Sequence, residues 1–124
     1  MKDKKLVLAV DDDPYELNAL AGILFPAYDL HTAKSASDAL ASLNSKMADI
    51  IVLDADMPNI SGFEFLRDIR KIPSYMNIPV IIVNDKTGQE FFHEAKNSSA
   101  FAVLSKPVIP EKLTETIKNA IAAM

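Results

Sequence analysis

The sequence predicts an α/β fold in which five strands and five helices alternate along 124 residues. Five short apolar runs indicate the strands: Leu6–Val10, Asp29–Ala33, Ile50–Leu53, Val80–Val83 and Phe101–Leu104. Three of the runs are continuous rather than alternating, as expected for strands that are buried on both faces of a parallel sheet. Alternation with helical stretches implies right-handed crossovers and helices on both faces of one sheet. The order of the strands does not follow from this pattern.

The first two helices are indicated by apolar residues at positions i, i+3, i+4 and i+7. These residues are Leu17, Leu20, Ala21 and Leu24 in the first helix and Ala36, Ala39, Leu40 and Leu43 in the second. Asp13 before Pro14 is the expected start of the first helix, because an acidic cap followed by proline favours a helix N-terminus. Ser35 or Ser37 is the expected start of the second helix.

The last three helices differ in how regular their patterns are. Phe65, Ile69 and Ile72 share a face of the third helix, and Ser61 with Glu64 predicts a capping box at its start. The stretch 87–97 has the least regular spacing and is interpreted as the fourth helix. Pro110 opens the fifth helix. The apolar face of the fifth helix consists of Leu113, Ile117, Ala120, Ile121 and Met124.

Composition and charge exclude several classes of function. The chain has 13 basic and 17 acidic residues, so its formal charge is 13 − 17 = −4, which argues against sequence-independent nucleic-acid binding. It has no cysteine, which excludes a disulfide scaffold, a thiolate zinc site and a cysteine nucleophile. The two histidines, His31 and His93, are far apart in the sequence. No apolar run reaches the roughly 18 residues of a membrane span. We therefore expect one cytoplasmic domain over residues 1–124.

Polar residues follow four of the predicted strands, at the edge where ligands bind in open parallel sheets. These residues are Asp11, Asp12 and Asp13 after the first run, Asp54 and Asp56 after the third, Asn84 and Asp85 after the fourth, and Ser105 and Lys106 after the fifth. Two carboxylates about 4 Å apart repel by roughly 4 kcal/mol at an effective dielectric constant near 20. A cluster of Asp11, Asp12 and Asp54 therefore needs a cation, a raised pKa or a paired lysine to offset this repulsion.

Oxygen ligands without histidine or cysteine favour a hard ion, Mg²⁺ first, with Mn²⁺ or Ca²⁺ as substitutes. Lys106 supplies a fixed positive charge from a different strand end. A carboxylate nucleophile, a metal and a lysine are the components of phosphoryl transfer onto an aspartate. The residues by themselves thus predict a hard-metal acidic site beside a lysine, which is the equipment that such a transfer needs.

Four segments in order and in register resemble the receiver (response-regulator, CheY-like) domain of two-component signalling. They are LVLAVDDDP, IIVLDADMPNISGFEFL, IPVIIV and VLSKP. The resemblance covers essentially the whole chain and implies a flavodoxin-like (βα)5 three-layer sandwich with strand order 2-1-3-4-5. It also implies phosphorelay signalling, in which a histidine kinase or a phosphotransfer protein donates a phosphoryl group, with no output domain in these residues. The protein would catalyse its own phosphorylation and dephosphorylation without being a turnover enzyme.

The resemblance also assigns roles to single residues. Asp54 would be the phosphoacceptor, Asp11 and Asp12 the acidic pair at Mg²⁺, and the backbone carbonyl of Asp56 a further metal ligand. Lys106 would be the family's lysine, and Pro107 after it would follow a cis peptide bond. Gly62 would let the loop turn into the third helix.

Two positions depart from the pattern that the resemblance implies, and a pair of charged residues flanks the site. Asn84 stands where the family has a threonine or serine that bonds the phosphoryl group, and Val103 stands at the aromatic switch position. We therefore expect phosphorylation with atypical switching. Asp56 and Lys86 flank the site, and we hypothesise that they form a salt bridge that hinders the hydrolytic water. Replacement of either by alanine should then shorten the phosphoryl lifetime, although Asp56 could instead orient that water and speed the loss.

Two other functions remain as alternatives. A degenerate receiver would bind protein partners independently of phosphorylation, and Asn84 and Val103 favour this reading. An apolar strand followed by D-x-D also starts haloacid-dehalogenase-type phosphatases, but Pro58 and the lack of a later acidic pair argue against that reading. The family's partner face, between the fourth and fifth helices, is a possible surface for a homodimer.

Overall fold

The computed structural model describes residues 4–85 and 89–124, except the side chains of residues 89, 90 and 92, and forms one parallel sheet flanked by helices. The strands are β1 (Leu6–Val10), β2 (Asp29–Ala33), β3 (Ile50–Asp54), β4 (Val80–Asn84) and β5 (Ala102–Ser105). The helices are α1 (Pro14–Leu24), α2 (Ala36–Ser45), α3 (Gly62–Ile69), α4 (Gln89–Asn97) and α5 (Pro110–Ala122). All neighbouring strands are parallel in the order β2-β1-β3-β4-β5, which confirms the flavodoxin-like arrangement.

Two of the inner strands, β3 and β4, end one residue later than their apolar runs. Asp54 pairs with Val83 as the last residue of β3, and Asn84 pairs with Ser105 as the last residue of β4. The sequence pattern stops at the last apolar side chain, whereas the backbone ladder continues through one more polar residue. β5 also lies one residue later than predicted. Asp54 and Asn84 are therefore held by the sheet rather than by a loop.

The helix starts follow the predicted caps. The Asp13 side chain accepts a hydrogen bond of 2.9 Å from the backbone N–H of Tyr15 at the start of α1. At α2 the cap is Ser35, whose Oγ accepts from the N–H of Asp38 at 3.1 Å, and not Ser37. Ser61 and Glu64 form the capping box of α3, and Pro110 is the first residue of α5. Local sequence thus determines where these helices begin.

The third helix is shorter than its apolar spacing predicted. α3 ends at Ile69, so Ile72 lies in the following turn, where its N–H donates to the carbonyl of Ile69. Such three-residue turns tighten a helix end, and Pro73 then has no N–H with which to continue. Ile72 nevertheless packs against the core. The fourth helix is present over the described part of the stretch 87–97.

The sheet buries one apolar cluster on each face. On one face, side chains such as Leu8 and Leu53 pack against α2 and α3, and Phe65 and Ile69 are fully buried there. On the other face, α1 and α5 cover a second cluster, whose side chains are Val7, Ala9, Leu17, Leu20, Leu24, Ile50, Val52, Ile81, Val83, Leu104, Leu113, Ile117 and Ala120. Within the described ranges no helix has both the length and the apolar character needed to cross a bilayer. The two clusters fix the strand ends that carry the polar residues.

Candidate functional site

Three carboxylates meet at the carboxyl ends of β1 and β3. One side-chain oxygen from each of Asp11, Asp12 and Asp54 lies within 4.8 Å of the others. Asp11 and Asp54 are only 4% and 6% exposed, whereas Asp12 is exposed. Because β1 and β3 are neighbours in the sheet, their ends bring these residues together. The predicted acidic cluster is thus present.

Lys106 reaches the cluster from the far side of β4. Its Nζ lies 3.2 Å from Asp54 Oδ1 and 3.4 Å from Asp11 Oδ2. The backbone N–H of Lys106 donates to the carbonyl of Asn84 at 2.9 Å, and the Lys106–Pro107 peptide bond is cis, as the resemblance implied. One ammonium group therefore bridges two buried carboxylates.

Burial and mutual charge change the proton affinities of these groups. Burial, followed by the charge of Asp11, raises the pKa of Asp54 from 3.8 to about 6, although Lys106 and the N–H of Asp56 oppose the shift. Burial is also the largest cause that raises the pKa of Asp11. Burial disfavours the charged form of Lys106, but the charges of Asp54 and Asp11 outweigh it and raise its pKa. The lysine therefore stays cationic at neutral pH.

The raised pKa of Asp54 makes the stability of the metal-free chain depend on pH. Since the folded pKa lies above the unfolded one, the folded chain loses stability as pH rises from about 4 through about 6. We expect Asp54→Asn, in the presence of a chelator, to raise the free energy of unfolding at pH 7 by about 2–3 kcal/mol. Urea unfolding of both proteins between pH 3.5 and 8 measures this. The gain in stability should vanish near pH 4, and a gain that does not change with pH would contradict the raised pKa of Asp54.

Gly62 turns the loop after β3 back against the backbone of Asp54. Its N–H donates to the carbonyl of Ala55 at 2.9 Å. A Cβ atom at this position would lie 2.4 Å from the backbone oxygen of Asp54 and 3.1 Å from its carbonyl carbon. The glycine that the resemblance placed in a turn is thus required by the close approach of the two backbone segments. Gly62 thereby brings the start of α3 into contact with the backbone of Asp54.

The remaining predicted site residues lie at different depths. Asn84 is 4% exposed at the end of β4, and Val103 is half-buried in β5, where it packs against the core. The side chain of Asp56 is exposed. Lys86 lies outside the described residues, so its pairing with Asp56 stays a prediction. His31 lies on the edge strand β2 and His93 on the surface of α4, both away from the cluster.

Sequence reasoning missed Glu16. It lines a small cavity together with Asp11, Asp54 and Lys106, and its charge contributes to raising the pKa values of Asp11 and Lys106. An acidic residue in the first turn of a helix is ordinary, because it interacts favourably with the helix dipole. The position of Glu16 could have revealed it, because α1 begins at the same edge of the sheet as the cluster and Glu16 lies in its first turn.

The donor set fits a hard divalent cation. The clustered side chains offer carboxylate oxygen alone, and three negative charges exceed the single charge of Lys106. Mg²⁺ binds in proteins through one or two carboxylates and retained waters, so an exposed ligand such as Asp12 beside two buried ones suits it.

Comparison with known proteins agrees with this geometry. A model of the response regulator receiver domain matches residues 7–118. Protein PilH of Pseudomonas aeruginosa is 33% identical over 118 residues, which cover 94% of this chain and 97% of PilH. A protein-glutamate methylesterase/protein-glutamine glutaminase of Pseudomonas syringae pv. tomato is 35% identical. The match covers 100% of this chain and 36% of the methylesterase. The chain thus spans about a third of that protein.

Solved structures resemble the whole fold. Chemotaxis protein CheY4 of Vibrio cholerae is 32% identical with a TM-score of 0.87, and the match covers 95% of this chain and 99% of CheY4. A CheY-like receiver domain protein of Methanospirillum hungatei is 29% identical with a TM-score of 0.88, over 98% of this chain and 96% of that one. The five-stranded parallel sheet with its five helices therefore belongs to a widely shared architecture.

Proposed function

Because the chain belongs to the response regulator receiver domain family of two-component signalling, we propose that it accepts a phosphoryl group on Asp54. The donor would be a phosphohistidine of a histidine kinase or a phosphotransfer protein. The observation that carries this proposal is the bridge from Lys106 to the buried carboxylates of Asp11 and Asp54. This arrangement keeps one nucleophilic oxygen beside one fixed cation.

In the proposed transfer an oxygen of Asp54 attacks phosphorus. A P–O bond forms, the P–N bond of the phosphohistidine breaks, and the imidazole nitrogen keeps the electron pair. With a pKa of about 6, Asp54 is mostly ionised at pH 7 and needs no separate base. Lys106 Nζ, 3.2 Å from Asp54 Oδ1, lies close enough to bond an oxygen of the transferred group. Hydrolysis of the resulting acyl phosphate by water returns the carboxylate.

Receiver domains bind Mg²⁺ at an acidic pocket, and the cluster described here fits that ion. Asp11, Asp12 and Asp54 would hold it, together with the backbone carbonyl of Asp56. When bound, the ion neutralises negative charge on the phosphoryl oxygens. Asp11 also accepts a hydrogen bond of 3.0 Å from the N–H of Asp13, which orients its carboxylate.

Asn84 and Val103 support atypical switching after phosphorylation. Asn84 could donate its amide N–H to a phosphoryl oxygen, but its planar group is bulkier than a hydroxyl. Val103 is packed against the core and has no aromatic ring to rotate between buried and exposed positions. The same two residues favour the second candidate function, a module that binds partners independently of phosphorylation. Equal partner binding by the wild type and Asp54→Asn would support that second function.

The edge formed by β5 and the start of α5 supports the proposed partner or homodimer surface. A groove of about 250 Å³ there is lined by residues that include Val103, Pro107 and Ile109. Ile109 is 59% exposed and Phe101, just before β5, is 43% exposed. Exposed apolar surface that lines a groove, as Ile109 does here, is typical of an interaction site.

Incubation with a small phosphodonor tests the proposed chemistry. We expect each chain to gain at most one phosphoryl group in the presence of Mg²⁺, and labelling to slow by at least about tenfold when a chelator removes the ion. Intact mass measures the label, and a phosphate assay measures release. Repeated release of phosphate from a model ester would instead support the phosphatase alternative. Labelling that is equally fast with the chelator would contradict the metal site.

A further inference from the structure

A groove between α3 and α4 lies apart from the acidic cluster. It has a volume of about 590 Å³, within the roughly 300–1,000 Å³ of ligand-binding clefts. Phe63 and Leu66 of α3 line it on one side, and Glu94 of α4 lines it on the other. The rings of Phe63 and Phe91 pack with centroids 5.7 Å apart and so hold the two helices together across the groove's base. We call this feature the α3–α4 groove.

Positive charge dominates the rim of the α3–α4 groove. Among its described lining residues, Arg67, Arg70 and Lys71 are cationic, and Glu94 is the single carboxylate. This is a local excess of positive charge on a chain whose formal charge is −4. Such a reversal attracts an anionic group and disfavours a cationic one.

Two of the three cations are available to an incoming carboxylate. Arg67 Nη1 lies 3.7 Å from Glu94 Oε2, and the two side chains are 60% and 43% exposed, so solvent screens this ion pair and it is weak. Lys71 is also exposed. Neither cation is committed to a buried partner in the described structure.

Arg70 fixes the wall of the groove. Its Nε donates to Ser99 Oγ at 2.9 Å, and its Nη1 donates to the carbonyl of Ile78 at 2.8 Å. These bonds tie the end of α3 to the segments before β4 and before β5. The groove is therefore a preformed surface with an apolar base and a cationic rim.

We propose that the α3–α4 groove binds an acidic, amphipathic segment of a partner protein. The carboxylates of the segment pair with Arg67 and Lys71, and its apolar side chains lie over the floor of the groove, where Phe63 and Leu66 are only 2% and 1% exposed. Apolar anchors combined with charge complementarity are the usual basis for recognition of a helix in a groove. The proposal does not depend on phosphorylation of Asp54, so the unphosphorylated chain is sufficient to test it.

The probe is a 12-residue synthetic peptide with leucine and phenylalanine on one helical face and glutamate on the other. Amide chemical shifts of the ¹⁵N-labelled chain report where it binds. We expect shifts concentrated in α3, α4 and the turn after α3. A peptide with glutamine in place of glutamate should bind at least about tenfold more weakly.

Two double variants separate local charge from net charge. Arg67→Glu with Lys71→Glu, and Lys46→Glu with Lys118→Glu, each change the formal charge by −4, from −4 to −8. Lys46 lies at the end of α2 and Lys118 lies on α5, and both are exposed. Only the first variant should lose affinity, by at least about tenfold. If the double variant does not fold, Lys71→Gln alone replaces it, and this variant should show a smaller loss of affinity for the peptide.

Three results would each overturn the proposal. They are the absence of binding at millimolar peptide, shifts that map elsewhere on the chain, and equal affinity of the acidic and the glutamine peptides. Equal losses in the two double variants would likewise show that net charge, and not the groove, attracts the peptide.

Discussion

Gly62→Ala is expected to lower the free energy of unfolding by about 1–3 kcal/mol or more, because the new methyl group has no room. A Cβ atom there would lie 2.4 Å from the backbone oxygen of Asp54 and 3.0 Å from the Cα of Ala55. Both neighbours are backbone atoms of the β3 end, so neither can rotate away. The displaced loop would also move Asp54, and we expect its phosphorylation to slow. Urea unfolding and labelling by a small phosphodonor measure the two effects.

Gly22→Ala is the matched control for this change. A Cβ atom at Gly22 meets nothing within 4 Å, and Gly22 lies in α1. Alanine in a helix is favoured over glycine by roughly 0.5–1 kcal/mol, so this variant should be slightly more stable than the wild type. If Gly62→Ala were as stable as Gly22→Ala and were labelled at the wild-type rate, the close approach at Asp54 would have no consequence.

Lys106→Ala is expected to slow phosphorylation of Asp54 by about 10²–10³-fold, the usual effect of removing a preorganised charge at a reacting oxygen. The variant would also leave Asp11 and Asp54 buried beside each other without their shared cation, which further disfavours their ionised forms. The rate of labelling at fixed donor and Mg²⁺ concentrations measures the effect.

Lys118→Ala removes an equal charge from the exposed surface of α5 and should be labelled at the wild-type rate. A wild-type rate in Lys106→Ala would show that the ammonium group plays no part in the transfer. Unfolding measurements on both variants establish that any loss of rate does not come from loss of the fold.

Most of the fold could be predicted because its signals are local. Continuous apolar runs such as Ile50–Leu53 mark buried parallel strands, and Ser61 with Glu64 marks a helix start without any tertiary information. The differences arise where tertiary contacts decide. The hydrogen-bonded ladder extends β3 to Asp54, although this residue is polar and falls outside the apolar run. The turn before Pro73 ends α3 before Ile72, although Ile72 has the apolar spacing of the helix.

The acidic cluster could be predicted because parallel strands end at one edge, which brings Asp11 and Asp54 together whatever the loops do. The contact of Lys106 with both of them was expected from the same rule, although its distances depend on how the chain leaves β5. Glu16 could not be found in this way, since its position in the site depends on how α1 packs. The groove that Arg70 shapes was missed for a similar reason: it joins segments that are remote in the sequence.

Intact mass after incubation with a small phosphodonor and Mg²⁺ shows whether Asp54 accepts one phosphoryl group. We expect the wild type to gain a single phosphoryl group and Asp54→Asn, which keeps the size of the side chain, to gain none. The variant's folding can be verified by its unfolding curve. A wild type that stays unlabelled under these conditions, or an Asp54→Asn variant that is labelled to the same extent, would show that Asp54 is not the phosphoacceptor.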